Sequence, residues 1–246
     1  MKEWLIMSKQ KKSSFLGIIP ARAGSQAIPH KNLVKLAGQP LIAYTFKAAS
    51  ASRTLDRIIL TTDDPEIASL GEKYKINVPF MRPEELAQND STLEDVMLHA
   101  LDWLKENEHY IPDAVVLLQA TSPLRTTEHI DQAIELFEKE SVESLVSVSP
   151  PMEHPCDMVY FTKENKIKFL LKEGGFLEGK QRQDYPLFYF LNGAIYIFRT
   201  EVLRKYRSRF GRSVVPYIMS QLDSIDVDSL DDLHIAELII SHRKCV

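Results

Sequence analysis

Phe15-Leu-Gly-Ile-Ile-Pro-Ala-Arg-Ala-Gly-Ser-Gln-Ala-Ile-Pro-His-Lys-Asn32 is the stretch on which the reading of this chain turns. Phe15 to Ile19 is a short apolar run of strand length, and it passes straight into a loop holding Ala21, Gly24 and Ser25, the cations Arg22 and Lys31, and the amide Asn32. Such a loop suits a polyphosphate. Small residues let backbone N–H groups turn toward anionic oxygens, Arg supplies a rigid donor fork, and Lys a mobile point charge. The stretch has neither the G-x-x-x-x-G-K-[ST] spacing nor a full G-x-G-x-x-G, so it is neither of the two better-known phosphate loops. The same residues also read as a Gly-containing strand-to-helix turn with incidental surface charges.

Outward from the loop, strands and helices alternate. Pro40 to Ser50 has the apolar spacing of a buried helix face with Pro in its first turn. Arg57 to Thr62 reads as a β-branched strand, and Asp63-Asp64-Pro65-Glu66 then supplies an N-cap and a Pro at the first helical position. A helix using Leu93, Val96, Met97, Ala100, Leu101 and Leu104 follows; its stripe is core, and His99 beside it reads as a packed or solvated histidine. Asp113 to Ala120 is apolar on both faces, as a central strand is, and leads into Thr121-Ser122-Pro123-Leu124-Arg125. Thr126 or Thr127 can cap the next helix, which buries Ile130, Ala133, Ile134 and Phe137. Leu145 to Val148 is another strand. This alternation predicts an α/β fold with a mostly parallel sheet covered on both faces and ligands at the carboxyl ends of its strands.

The rhythm breaks between Pro150 and Pro186, where Val159 to Thr162 and Ile167 to Leu171 read as hairpin strands in an excursion too small for a core of its own. Near the end, Asp226 and Asp228 stand two apart in a strand-like stretch, so their carboxylates share a side and can share a cation; hard oxygens beside phosphates suit Mg2+. The pair also reads as an acidic cap on a closing helix that buries Leu233, Ala236, Ile239 and Ile240.

With 246 residues, 44% hydrophobic and 26% charged, the composition is that of an ordinary globular protein. A formal charge of -4 gives no broad basic field, which argues against a nucleic-acid partner and requires any anionic substrate to be held by local cations. Cys156 and Cys245 are isolated, without metal-like spacing, as fits a reducing cytoplasm. Trp4 to Met7 is too short for a signal core, and residues 1–14 read as a loose tail ahead of one domain over 15–246, with no membrane partner expected.

The Pro-Ala-Arg-Ala-Gly-Ser…Pro-His-Lys-Asn run resembles the signature loop of the acylneuraminate cytidylyltransferases, or CMP-sialic acid synthetases, usually R-x-G-S-K-G-x-P-x-K-N. Gln26 stands where that family has Lys, and Ala27 where it has Gly. Further segments match in the family's order. Arg82-Pro-x-x-Leu-Ala is similar to R-P-x-x-L-A, and Gln119-Ala-Thr-Ser-Pro-Leu-Arg125 departs from the family's run only at Ala120. Arg182-Gln-Asp-Tyr-Pro186 resembles R-Q-x-x-P, Asn192-Gly-Ala-Ile-Tyr196 resembles N-G-A-I-Y, and Asp223 to Asp228 resembles D-S-I-D-I-D.

The resemblance implies a three-layer, Rossmann-like nucleotidyltransferase fold whose 150–190 excursion builds a homodimer and takes part in sugar binding. It implies transfer of CMP from CTP to the anomeric hydroxyl of a nonulosonic acid, with pyrophosphate released. Arg22, Lys31 and Asp226 would serve catalysis. Ala21, Arg22, Gly24, Ser25, Asn32, Arg82, Asp90, Ser91, Gln119, Thr121 and Ser122 would bind the nucleotide. Gln119, Arg182, Gln183, Asn192, Gly193 and Tyr196 would meet the sugar, with the Arg182 fork on its carboxylate, and Asp226 and Asp228 would hold Mg2+. Arg82 also reads as a surface Arg capping a turn, Arg182 as a solvated charge, and Asp223 as a structural group on the face opposite the aspartate pair. A cytidylyltransferase for the shorter keto-sugar acid KDO, or a noncatalytic nucleotide-binding protein on the same fold, are the competing readings.

Overall fold

The computed structural model describes residues 13–24, 27–171, 183 and 185–245. Its frame is a six-stranded sheet in the order β10-β6-β9-β5-β1-β4, with β1 at Phe15–Pro20, β4 at Arg57–Thr61, β5 at Ala114–Leu117, β6 at Ser144–Ser149, β9 at Phe190–Arg199 and β10 at Val214–Ile218. β1 runs parallel to both β4 and β5, and β10 parallel to β6; β9 lies between β5 and β6 and runs antiparallel to each. The strands with consecutive apolar residues are the ones buried on both faces, as parallel strands under helices must be. β1 and β5 alternate their side chains between two cores.

One core holds Phe15, Ile19, Val116 and Leu118 against α1 (Leu41–Ser50), α2 (Pro65–Lys73) and α4 (Thr127–Glu140). The other holds Leu16, Ile18, Val115 and Leu117 against α3 (Leu93–Glu108) and α5 (Thr200–Tyr206). Three layers result, as the alternation predicts. A third cluster takes no residue from the six-stranded sheet: α6 (Leu230–Cys245) packs Leu233, Ala236 and Ile240 on Ile28, Leu36, Leu41, Leu124, Ile225 and Val227. Among the described residues no helix is long and apolar enough to cross a membrane.

Local chemistry fixes the helix starts. Asp64 accepts from the N–H groups of Glu66 and Ile67 with Pro65 behind it. Thr126, not Thr127, caps α4, forming a reciprocal capping box with His129. Before α1, β2 (Lys35–Leu36) and β3 (Gln39–Pro40) form a two-residue hairpin whose turn, Ala37 and Gly38, has φ of 47° and 88°. Positive φ at both central residues matches the right-handed twist of the strands, and Gly38 adopts it without a Cβ penalty.

Ser14, assigned to the tail from sequence, is tied down instead: its N–H and hydroxyl both donate to the Asp113 carboxylate at 2.8 Å. In the excursion, β7 (Val159–Phe161) and β8 (Ile167–Phe169) pair antiparallel as a separate hairpin. β10 carries Pro216 inside it, which a strand tolerates at a sheet edge, where β10 lies.

Candidate functional site

The carboxyl ends of β1 and β5 open onto a cleft of about 440 Å³ lined by Ala21, Arg22, Gly24, Lys31, Asn32, Arg82, Ser91, Gln119 and Thr121, among others. The loop after β1 is held in place from three sides. Asn32 Nδ2 donates to the Arg22 carbonyl at 3.0 Å, the Ala23 N–H donates to Asp63 at 3.1 Å, and Arg22 Nη1 donates to the Gln88 carbonyl at 3.1 Å. Gly24 is exposed, and a Cβ there would meet nothing within 4 Å. Ser25 and Gln26 lie outside the described residues.

Arg82 is neither a surface cap nor a free cation. It is 7% exposed, Nε donates to Thr61 Oγ1 at 3.2 Å, and Nη2 donates to the Thr61 carbonyl. It thus ties the end of β4 to the cleft wall. Burial pushes its pKa down to about 10, against the pull of Asp63, so it remains a cation at neutral pH. Ser91 donates to the Glu85 carbonyl at 2.9 Å, while Asp90 is exposed and does not line the cleft. Ser122 is 1% exposed, and its hydroxyl has no hydrogen-bond partner among the described residues.

At the deep end of the cleft, β5 meets β9. Between Val146 and Val148 the β6–β9 register shifts, and Gly193 takes a φ of 73° in the resulting bulge. Ser147 and Asn192 brace that bulge from inside: the Ser147 hydroxyl donates to Asn192 Oδ1, which also accepts from the Ala194 N–H, while Asn192 Nδ2 donates to Ser224 Oγ at 2.8 Å. Gln119 Nε2 donates to the Gly193 carbonyl at 3.2 Å. A Cβ on Gly193 would stand 3.3 Å from that nitrogen, a tight contact, and 3.7 Å from Asp226 Oδ2, an ordinary one; the left-handed φ is what calls for glycine here, where Gln119 and Asp226 both come close.

Asp226 and Asp228 do not sit in a strand. A 3-10 turn at Leu222–Ser224 precedes them and α6 follows. Their alternation survives in an irregular extended segment, because Ile225 and Val227 are buried in the third cluster and the Val227 N–H donates to the Thr121 carbonyl at 2.8 Å. The Asp226 carboxyl is pushed up, first by burial and also by Asp228, with Thr121 hydrogen bonding and Lys31 opposing. Its Oδ1 is buried without a hydrogen-bond partner among the described residues. Asp228 is exposed and accepts from Lys31 Nζ at 2.8 Å, joining two residues assigned separate roles from sequence.

Asp223 lies in the 3-10 turn instead of an extended stretch. It accepts from Ser220 and from Arg243, the latter at 2.7 Å, as a structural group does. Among the described residues no group of three or more His, Cys, Asp or Glu side chains is arranged to hold a metal.

A second cavity, about 360 Å³, is lined in part by Asp226, which does not line the cleft. Pro150, Met152, Met158, Phe190 and Ile235 give it apolar walls, with Ser149, Glu153, Gln221, Ser224, Asp226 and Asp232 as polar members. Tyr196 lies in the sheet at 8% exposure, under the Arg209 guanidinium at 4.7 Å, and lines neither cavity. Gln183 is exposed, and Arg182 lies outside the described residues. Four of the wall residues named for the second cavity, Pro150, Met152, Met158 and Phe190, belong to the 150–190 excursion that the sequence assigns to sugar binding and dimerisation, although no one of them is singled out there by its local sequence; Ile235 of α6 lies outside it.

A family model described as Cytidylyltransferase matches residues 16–226. The chain is 32% identical over 232 residues to a CMP-N,N'-diacetyllegionaminic acid synthase of Legionella pneumophila, covering 92% of this chain and 95% of that one. It is 35% identical over 217 residues to an N-acylneuraminate cytidylyltransferase of Streptococcus agalactiae, covering 87% of this chain but only 50% of that longer protein. A pseudaminic acid cytidylyltransferase of Campylobacter jejuni is 29% identical, with 93% and 98% covered. Among solved structures, CMP:2-keto-3-deoxy-manno-octonic acid synthetase complexed with CTP superposes with a TM-score of 0.70 at 14% identity, covering 94% of this chain and all of that one, a likeness of fold alone. The strand-end loops, the bulge that brings Gln119 to Asp226 and the extent of these matches lead to one assignment: the chain belongs to the cytidylyltransferase family of nucleotidyltransferase enzymes.

Proposed function

We propose that this chain transfers CMP from CTP to the anomeric hydroxyl of a nonulosonic acid and releases pyrophosphate. The observation that carries the reading is the position of Asp226, which lines the second cavity and hydrogen-bonds Thr121 of the cleft, so that a nucleoside triphosphate in the cleft and a second substrate in the cavity would meet beside it. Relatives named for legionaminic, N-acylneuraminic and pseudaminic acids support the acceptor class. In the reaction the acceptor oxygen bonds to the α-phosphorus, the bond from that phosphorus to the β-phosphate oxygen breaks, and the hydroxyl proton is lost.

Arg22, Lys31 and Asn32 would orient the triphosphate, so that positioning and charge neutralisation supply most of the rate. Lys31 would exchange Asp228 for phosphate oxygens. Gln119 and Thr121 stand where the two substrates would meet, and Arg182 would take the sugar carboxylate. The residues fit Mg2+: Asp226 Oδ1 is a buried oxygen lacking a partner, Asp228 is its electrostatic neighbour, and two carboxylates with phosphate oxygens and water are a sufficient hard donor set. Mg2+, when bound by Asp226 and Asp228, would neutralise charge on the phosphates.

The excursion presents Phe161, Ile167, Leu187 and Phe190 at 68%, 61%, 89% and 64% exposure. Side chains of this size left in water together mark an interface, and a second copy of the chain would cover them. The isolated cysteines favour a cytoplasmic setting. The deciding experiment is pyrophosphate release from CTP and Mg2+ with a panel of N-acetylneuraminic, legionaminic and pseudaminic acids and KDO. Turnover with a nine-carbon acid is expected; turnover with KDO alone, or none, would overturn the assignment.

A further inference from the structure

Arg125 ends the Thr121-to-Arg125 run but does not line the nucleotide cleft. It is 2% exposed, and the pocket it borders, with Tyr44, Pro123 and Arg243, is separate from the cleft. Nη1 donates to two carbonyls, Gln119 at 3.0 Å and Ala194 at 2.7 Å, and Nη2 donates to Thr45 Oγ1 at 2.7 Å. Thr45 in turn donates to the same Gln119 carbonyl at 3.3 Å. Nε is buried without a hydrogen-bond partner among the described residues. These acceptors are neutral, and an ion held this way is a poor source of stability: an apolar side chain of similar volume would often serve the core as well or better. What a planar, forked donor does supply is fixed geometry among several acceptors.

The acceptors belong to three separate elements. Thr45 is in α1, Gln119 follows β5, and Ala194 is in the bulge of β9. Gln119 and Ala194 also flank the hydrogen bond from Gln119 Nε2 to the Gly193 carbonyl. The guanidinium therefore grips the main chain of the donor residue and the residue after the acceptor. We infer that Arg125 is a positioning residue for the nucleotide: by clamping the Gln119 and Ala194 carbonyls to Thr45, it sets the orientation of the Gln119 carboxamide at the cleft. The inference rests on reading that cleft as the CTP site.

The test is calorimetric CTP binding by the full chain without any acceptor, in wild type, Arg125→Met, Arg125→Lys, Thr45→Val, Gln119→Ala, and Thr45→Val combined with Gln119→Ala. Thr45→Val keeps the shape of the side chain and removes the hydroxyl, so it carries the test if the Arg125 variants do not fold. Loss of the fork should raise the Kd for CTP about tenfold, the scale of one charge-assisted hydrogen bond, and Thr45→Val about threefold. Because the clamp acts through Gln119, the double variant should bind no more weakly than Gln119→Ala alone.

Wild-type chain that fails to bind CTP would overturn the reading of the cleft and this inference with it. Wild-type chain that binds, with Arg125→Met or Thr45→Val of lowered Tm but unchanged Kd, would overturn the inference alone and leave Arg125 a structural residue. So would effects that multiply in the double variant. Full affinity in Arg125→Lys would show that charge and not the fork matters, which also overturns it.

Discussion

The cleft at the ends of β1 and β5 sets Arg22, Lys31, Asn32, Arg82 and Gln119 among apolar residues such as Leu86 and Val96, whereas the second cavity, which Asp226 lines, sets Pro150, Met152, Met158, Phe190 and Ile235 beside Glu153, Gln221 and Asp232. The first set rises from strand ends and is pinned by hydrogen bonds to β1, β4 and their loops; the second comes mostly from the excursion and from the outer side of α6. A triphosphate looks alike to every enzyme that uses it, and fixed donors suit it. A set of acceptors sharing a carboxylate and a ketose end but differing in substituents is sorted by shape, where each methylene counts for only about 1–3 kcal/mol. Cations line the cleft, while the second cavity combines an apolar contour with charged groups that are all acidic.

Asp226→Asn should break both sides at once and give the largest effect. Turnover is expected to fall about a hundredfold or more, since a neutral amide no longer offsets metal charge. Stability should move the opposite way. The folded-state pKa of Asp226 is raised, first by burial, so the folded chain holds that proton more tightly than the unfolded one. Its contribution therefore worsens as pH rises from the ordinary Asp value through the raised one, and the full penalty is present at neutral pH. In metal-free buffer at pH 7 the Asn variant should melt higher than wild type, and the gain should vanish as pH falls to the ordinary Asp value, about 4. Retained turnover with unchanged Mg2+ dependence would move the metal site elsewhere.

Arg22→Ala tests the charged side by itself. An expected loss of about ten- to a hundredfold in kcat/KM for CTP, with the acceptor KM steady, reflects one or two charge-assisted contacts; an equal rise in acceptor KM would merge the two sides. On the apolar side, Phe161→Asp places a charge on the exposed β7 strand. Sedimentation should show a dimer becoming a monomer while CTP affinity stays within about twofold, as a substitution off the cleft predicts. A wild-type monomer would remove the interface. The smallest effect is expected for Gln26→Lys, which adds a cation to a loop that already has two: the KM for CTP should fall about twofold, the scale of an exposed charge pair, and an unchanged KM would make Gln26 neutral there.

The nucleotide side was the more legible in sequence because its signals are local. A strand running into Gly24 and Arg22, or into Gln119 and Thr121, can be read within a dozen residues, as can the Asp64 cap. What escaped reading depends on partners far along the chain. Lys31 meets Asp228 across 197 positions, and Arg125 meets Thr45 across 80. No neighbouring residue marks Arg82 or Arg125 as buried, and an arginine in sequence defaults to the surface. Pro216 hid β10 by weakening its strand signal. The excursion's hairpin was visible in its apolar runs, yet nothing local showed that Met152 and Met158 would face Asp226 across a cavity.

The reversed direction of β9 has a further consequence. Because β9 runs against its neighbours, Phe190 at its start stands opposite Ser149 at the end of β6. The chain between them leaves and re-enters the sheet at one rim, the rim where the parallel strands end. That segment can lengthen, shorten or be exchanged between relatives without shifting a rung of the sheet or a residue of the phosphate loop. On the proposed reading of the second cavity as the acceptor site, a lineage would change which sugar it activates by rewriting one loop-out of the chain, while inheriting its handling of the nucleotide intact.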